Sequence, residues 1–400
     1  MIETAQPDVD KRDGAPMLTR ASVRRMDGVD ILRGVSILSV ILLHFWIRMH
    51  DGETALLQFP WMPARLFDFL FLNGDQGVTI FFAISGFLIT LTSLRRFGSL
   101  DAMQPRRFYR IRFARIAPLL LLELVVLSVL HLARVPGFVI PARVATLPRA
   151  LFAALTFHLN WLEGMHGYLA ANWDVLWSLS VEEMFYLFFP LACVLLLRWR
   201  RGRPLFIALL LAFVAMGPFA RTLWTAGHPI WREKSYLGGM DAIALGCLAA
   251  LLAEWLWRRE SNRRSLALAI ALQVAGVAMM LLITVWPPWH FMRFIARTGT
   301  YNTILPAGVC LVILGAGLHG AKGSWFTAPV RWFGRHSYEV YLTHEFLVIG
   351  LTALYFKLHR GPLSVWLIVL LLSCAAAGWA TARFFSEPMN RRLRGAAPPK

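Results

Sequence analysis

Charge is scarce in this sequence, and acidic charge is scarcest. Only 16% of the 400 residues are Asp, Glu, Lys or Arg, and 23 acidic residues stand against 41 basic ones. With 57% hydrophobic residues as well, such a chain is excluded from the soluble globular class and reads as a polytopic membrane protein. Cysteine is nearly absent: Cys193, Cys247, Cys310 and Cys374 each sit in an apolar run with no C-x-x-C spacing. That removes a cysteine metal cluster and leaves four small core residues. There is no H-E-x-x-H, no clustered histidine set, no Walker loop and no G-x-S-x-G. Zinc peptidase, di-iron oxygenase, nucleotide-hydrolase and serine-hydrolase chemistry lose their usual sequence support, and no metal is expected. Internal repeats, low-complexity segments and a linker long enough to separate a second domain are missing too.

The net charge of +18 raises the question of nucleic acid, and its distribution answers it. The basic residues fall in short segments between apolar runs, as the positive-inside rule requires, and attraction to anionic lipid accounts for them. Membrane lipid is the expected partner, and nucleic acid is not.

Ten apolar runs are long enough to span: 29–49, 69–94, 113–134, 175–197, 204–224, 237–257, 265–286, 301–319, 337–357 and 363–385. An eleventh, 148–162, falls short of the ~20 residues a helix needs to cross. It reads as a re-entrant or interfacial segment on the outer side. The expected fold is an all-α polytopic membrane helix bundle of about ten transmembrane helices. Most Lys and Arg then lie on the side of the N-terminus, so both termini are expected to be cytoplasmic. The corresponding organisation is a disordered cytoplasmic tail over 1–28, a membrane domain over 29–388 and a second cytoplasmic tail over 389–400.

Inside this apolar chain the ionisable residues carry the information. Arg33 and His44 both lie in the first span. Eleven residues make about three helical turns, so they share a face roughly 16 Å apart. An ionisable group in hydrocarbon is a functional candidate by default, with snorkelling and passive packing as the bland alternatives. Arg107/Arg110 and Arg112/Arg115 form two i,i+3 pairs. They suit either bidentate phosphate capture or anchoring to lipid headgroups. Ser85 and Gly86, in the second span, suit close helix packing more than a direct chemical role. In the fourth span Ser178 and Glu182 share a face, and Tyr186 stands one turn beyond Glu182. A carboxylate at that depth needs a partner, either an interior arginine or a histidine that it orients. In the ninth span Ser337, Tyr341 and His344 form a polar stripe that reads as a cavity lining, with His344 either active or a passive hydrogen-bond partner.

These segments together resemble the membrane acyltransferase family 3, whose members O-acylate cell-surface polysaccharides. The resemblance rests on Arg33 and His44 in an Arg-x10-His helix, F-F-x-I-S-G-F-L-I from Phe81 to Ile89, and Arg112, Arg115 and Pro118 in Arg-x-x-Arg-Ile-x-Pro. It continues with W-S-L-x-x-E-x-x-F-Y from Trp177 to Tyr186, S-Y-x-x-Y-L-x-H from Ser337 to His344, and the closing Glu387-Pro388. It implies a multi-pass enzyme of the cell inner membrane. Acyl-CoA, in most members acetyl-CoA, is the co-substrate, no cofactor is permanently bound, and the acceptor is a glycan or lipid-linked saccharide. It also implies essential roles for Arg33, His44 and the Arg112/Arg115 pair. Two departures stand out. Many members carry an arginine just before the aspartate of the sixth helix, where this chain has Gly239-Met240-Asp241. No SGNH-type domain follows residue 394, as in stand-alone members, so a separate periplasmic transferase would supply any second step.

The resulting expectation is an O-acyltransferase with Arg33, His44 and Glu182 as its catalytic group. Arg107, Arg110, Arg112 and Arg115 are expected to bind the donor, and Ser85, Ser178, Tyr186, Ser337, Tyr341 and His344 to support them. The competing class is a secondary transporter or flippase of a lipid-linked sugar, which would show paired broken helices and internal repeats. The segment 135–174, with His158, Asn160, Trp161, Glu163, His166, Tyr168, Asn172 and Trp173, is expected either to choose the acceptor or to form an interfacial plug.

Overall fold

A computed structural model describes residues 26–50, 59, 62–225, 227–259, 264–285, 289–320, 323–358 and 360–395. The expected N-terminal tail up to residue 25 and the last five residues lie outside these. Ten long helices follow one another: α1 Asp27–His50, α2 Gly74–Phe97, α3 Pro105–Leu132, α4 Trp177–Leu197, α5 Gly202–Thr222, α6 Tyr236–Arg259, α7 Arg264–Thr284, α8 Tyr301–His319, α9 Ser337–Leu358 and α10 Leu363–Thr381. No strand occurs among the described residues. The chain is an all-α polytopic bundle, as its composition requires.

By length and composition, nine of these helices can cross a membrane, and α9 is the exception. Its 22 residues are long enough. Tyr338, Glu339, Tyr341, His344 and Glu345 lower its hydropathy. The helix that looks least like a span is the one that carries the polar stripe.

Between apolar helices in lipid there is no hydrophobic gain, so close backbone approach must hold them. Glycine provides it at the two contacts that frame the site. On α2 and α6, a Cβ added to Gly86 would stand 1.9 Å from the Ile243 carbonyl oxygen, and one on Gly246 would stand 2.0 Å from that of Ala83. Between α1 and the short helix Ala328–Arg335, a Cβ on Gly34 would meet the Val330 oxygen at 1.9 Å, and one on Gly334 the Asp30 oxygen at 1.8 Å. Large apolar side chains such as Val125, Val274 and Leu372 are exposed on the bundle's periphery, where lipid would cover them.

The Arg-rich stretch before the third expected span is itself helical. Pro105 starts α3 and places Arg106 to Arg115 on its first three turns. The short apolar stretch 148–162 forms Leu147–Leu155 and Leu159–His166, broken at Phe157, which has φ of +55°. At nine and eight residues, neither can cross.

Asp241, which Met240 precedes in sequence, meets an arginine from another helix. Arg221, from the end of α5, is buried and donates to Asp241 Oδ2 at 2.7 Å, to the Gly299 carbonyl at 2.8 Å and to Thr303 Oγ1 at 2.6 Å. One guanidinium therefore ties α5, α6 and α8 together.

Candidate active site

Helices α1 and α9 run parallel and touch through polar side chains at two depths. At the first, Arg33 donates to Ser337 Oγ from Nε at 3.1 Å and from Nη2 at 2.8 Å. At the second, His44 Nδ1 lies 2.9 Å from Glu345 Oε2 and 3.0 Å from His344 Nε2. The two imidazoles stack with centroids 4.9 Å apart. The other Glu345 oxygen accepts from Arg48 Nε at 3.0 Å and Nη2 at 2.7 Å.

Hydrogen-bond accounting fixes the tautomers. His344 Nδ1 lies 2.6 Å from the Tyr341 carbonyl oxygen. A carbonyl only accepts, so Nδ1 carries the proton and Nε2 offers a lone pair. His44 Nδ1 faces that lone pair and a carboxylate, so it must be the donor to both. The proton of neutral His44 therefore resides on Nδ1, and Nε2 is left with a lone pair. His44 keeps 18% of its side-chain surface, while Glu345 behind it keeps 4%. The arrangement is an imidazole held by a buried carboxylate, with its basic nitrogen available. His44, His344 and Glu345 also bring three ligand-type atoms within 4.8 Å of one another. A metal there would have to displace the Nδ1 proton that makes both hydrogen bonds.

A cavity of about 340 Å³ lies beside this centre. Val78, Phe81, Ser85, Leu88, Thr92 and Arg96 line it from α2. These steps of three and four residues form one helix face, extending roughly 27 Å. Arg96, Arg112, Arg115 and Arg394 mark one end, and Phe81, Ser178 and Tyr341 mark the other. Tyr341 hydroxyl donates to the Val175 carbonyl at 2.9 Å and accepts from Ser178 at 2.8 Å. Its ring packs 5.8 Å from that of His344. The Ser178–Tyr341 pair thus stands between the cavity and the histidines.

The expected catalytic group is not one cluster. Glu182 lines the cavity with Arg33, but its contacts are Ser85, at 2.9 Å, and Tyr186, at 3.4 Å. Ser85 also hydrogen-bonds the Tyr186 hydroxyl. The arginine pair that Glu182 could have made belongs to its neighbour: Glu183 accepts from Arg112 at 2.9 Å. The Arg112 guanidinium carbon lies over Tyr186, 3.8 Å from the ring centroid. His44 is oriented by Glu345 instead. Glu345 and Arg48 are the residues that sequence reasoning missed. Arg48 is one turn beyond His44, and Glu345 follows His344 directly, about 100° off the polar stripe. That offset hid it.

The four arginines expected to bind the donor also divide. Arg112 and Arg115 line the cavity, whereas Arg107 and Arg110 line a separate surface depression with Arg106 and Arg198. Five residues, about 140° of helix, separate the two pairs, so they cannot face one space. Gly86 packs on α6, the close packing expected of it, and Ser85 lines the cavity and donates to Glu182.

The segment 135–174 divides in the same way. Asn160, Glu163, Asn172 and Trp173 are fully buried. Asn160 donates to the Lys234 carbonyl at 2.9 Å, Asn172 to the Leu342 carbonyl at 2.8 Å, and Glu163 accepts from Lys234 Nζ at 2.9 Å. These are internal struts. Trp161, His166 and Tyr168 remain exposed.

A family model described as an acyltransferase domain matches residues 26–382. The peptidoglycan O-acetyltransferase OatA of Listeria monocytogenes is 24% identical over 389 residues, covering 93% of this chain and 57% of that protein. The O-acetyltransferase OatA of Staphylococcus aureus is 23% identical over 408 residues, covering 96% of this chain and 60% of that protein. The chain therefore spans less than two thirds of the length of these relatives. No solved structure matches it.

Proposed function

This chain belongs to the membrane acyltransferase family matched over residues 26–382, and from that premise we propose that it moves an acetyl group from acetyl-CoA to a glycan hydroxyl. The observation that carries the reading is the polarity of the cavity. Arginines gather at one end, neutral side chains fill the other, and a histidine with a bare Nε2 lies just past the neutral end. A thioester with an anionic nucleotide at one end and an acyl group at the other fits that order. The arginine-rich end is the cytoplasmic one under the positive-inside rule, so the donor enters from the cytoplasm of a cell inner membrane. The acceptor, a cell-surface or lipid-linked saccharide, approaches His44 from the other face.

In the reaction, His44 Nε2 takes the proton of the acceptor hydroxyl as its oxygen attacks the thioester carbonyl. The C–S bond breaks, and the leaving thiolate receives that proton from the imidazolium. Glu345 stabilises the cation formed on His44, and Arg48 holds Glu345 in place. Cavity arginines hold the donor's phosphates without reorganising. The test is turnover of acetyl-CoA by the purified chain with a saccharide acceptor. His44→Ala should abolish transfer while the protein still inserts in the membrane. Surface-glycan acetylation retained by a well-expressed His44→Ala variant would overturn the reading.

A further inference from the structure

Five arginines line the cavity. Arg33 and Arg112 have protein partners in Ser337 and Glu183, and Arg115 belongs to the pair already assigned to the donor. Arg394 comes from the far end of the chain, beyond the residues that the family model matches. It reaches the cavity because α10 does not stop at Thr381. Ala382–Ser386 form a π-helical turn, and the helix resumes over Glu387–Arg394. A π turn holds an extra residue and so rotates everything after it, a device found often at functional sites. The rotated segment lies on α3, the helix of Arg112 and Arg115.

Three arginines occupy its last turn, and they differ. Arg391 is exposed and paired with Glu387 at 3.0 Å, and Arg392 is exposed. Arg394 alone faces the cavity. Its Nε is buried without a hydrogen-bond partner, as is that of Arg112. A buried donor without an acceptor is costly unless a ligand supplies one. Arg96, Arg115 and Arg394 make no ion pair among the described residues, and Glu182 is the single carboxylate on the wall. Like charges gathered in one space with so little compensation favour a polyanion.

We propose that Arg394 is a donor-binding residue, holding the phosphate-bearing end of the coenzyme A thioester with Arg96 and Arg115, so that the C-terminal helix forms one wall of the site. The proposal rests on the donor reading above and adds a ligand contact outside the matched family region. A bidentate guanidinium–phosphate contact on a preformed wall predicts about a tenfold loss of affinity when it is removed.

The full chain, in nanodiscs of zwitterionic lipid, is titrated with acetyl-CoA, with the acetyl-pantetheine thioester that lacks the nucleotide, and with inorganic pyrophosphate. Arg394→Ala should weaken acetyl-CoA and pyrophosphate about tenfold and leave acetyl-pantetheine unchanged. Arg391→Ala, which removes an equal charge from the outward face, should change none of the three. Equal effects of Arg394→Ala and Arg391→Ala, or acetyl-CoA affinity that ignores Arg394, would overturn the proposal while the donor reading stands. Pyrophosphate binding that needs Arg394, in a protein that binds no thioester, would sink the donor reading and keep the anion site. If Arg394→Ala acts only when anionic lipid is added to the discs, the partner is a lipid headgroup and the proposal fails.

Discussion

The residue with the sharpest consequence is Glu345. It is buried, its two oxygens are shared between His44 and Arg48, and it does not line the cavity. Glu345→Gln keeps the shape, but it removes the charge that stabilises imidazolium and places an amide against a donor nitrogen. Turnover should fall by about a hundredfold, within the range of positioned acid–base groups, while the KM for acetyl-CoA stays unchanged. A rise in KM with intact turnover would place Glu345 in donor binding instead. The arginines make the converse prediction. Arg112→Ala should raise the KM for acetyl-CoA, and Arg107→Ala should leave it unchanged, because only the first lines the cavity. An equal rise for both variants would return the whole Arg-rich turn to a general electrostatic role. The sequence made Arg33, His44 and the Ser337–Tyr341–His344 stripe legible, because helical spacing assigns a face. It could not reveal that Glu182 lines the cavity while His44 does not. That depends on how α1 and α4 are rotated against their neighbours, and single-helix periodicity does not contain that angle.

At the scale of elements, glycines decide how near the functional faces stand. Gly334 sits against the Asp30 carbonyl, three residues before Ser337. Replacing it with valine would push the Ala328–Arg335 helix off α1 and pull Ser337 away from Arg33. The cost is a backbone clash that no side-chain rotation relieves, so it should reach at least the 1–3 kcal/mol typical of overpacking. Thermal unfolding in detergent should register it as a lowered Tm, and an unchanged Tm would mean that the contact is loose. The long helices were readable as apolar runs, and α9 was readable despite its charges. Two things were not. The i,i+3 arginine pairs suggested helical turns, but not that Pro105 makes them one helix with the third span, because arginine is a good helix former with no hydrophobic signature. The π turn at Ala382–Ser386 has no sequence pattern at all, and without it the helical segment to Arg394 would present another face.

At the scale of the molecule, the pairing of α1 with α9 fixes the parity of the crossings between them. Arg33 meets Ser337, His44 meets His344, and Arg48 meets Glu345, so both helices advance in the same direction. Helices that enter from one side and run parallel are separated by an even number of reversals. Eight separate α1 from α9 when Leu147–Leu155 and Leu159–His166 together make no crossing. Counting them as one span would make nine and turn α9 antiparallel to α1, against the observed order. The same parity brings Arg394, near the end of the chain, to the cavity that also holds Arg33 and Arg96. Labelling from either side tests this directly. Gly202 is a poor reporter, since a Cβ there would stand 1.6 Å from the Leu196 carbonyl oxygen. Arg201 and His166 are exposed, and the four native cysteines are buried, so background labelling should be low. Arg201→Cys should react with a membrane-impermeant maleimide only after the cytoplasmic face is opened, and His166→Cys should react in intact spheroplasts. The exchanged pattern, with Arg201→Cys labelled in intact spheroplasts and His166→Cys only after opening, would mean that the segment between α3 and α4 crosses the membrane, and the parallel pairing of Arg33–His44 with Ser337–Glu345 could then not exist.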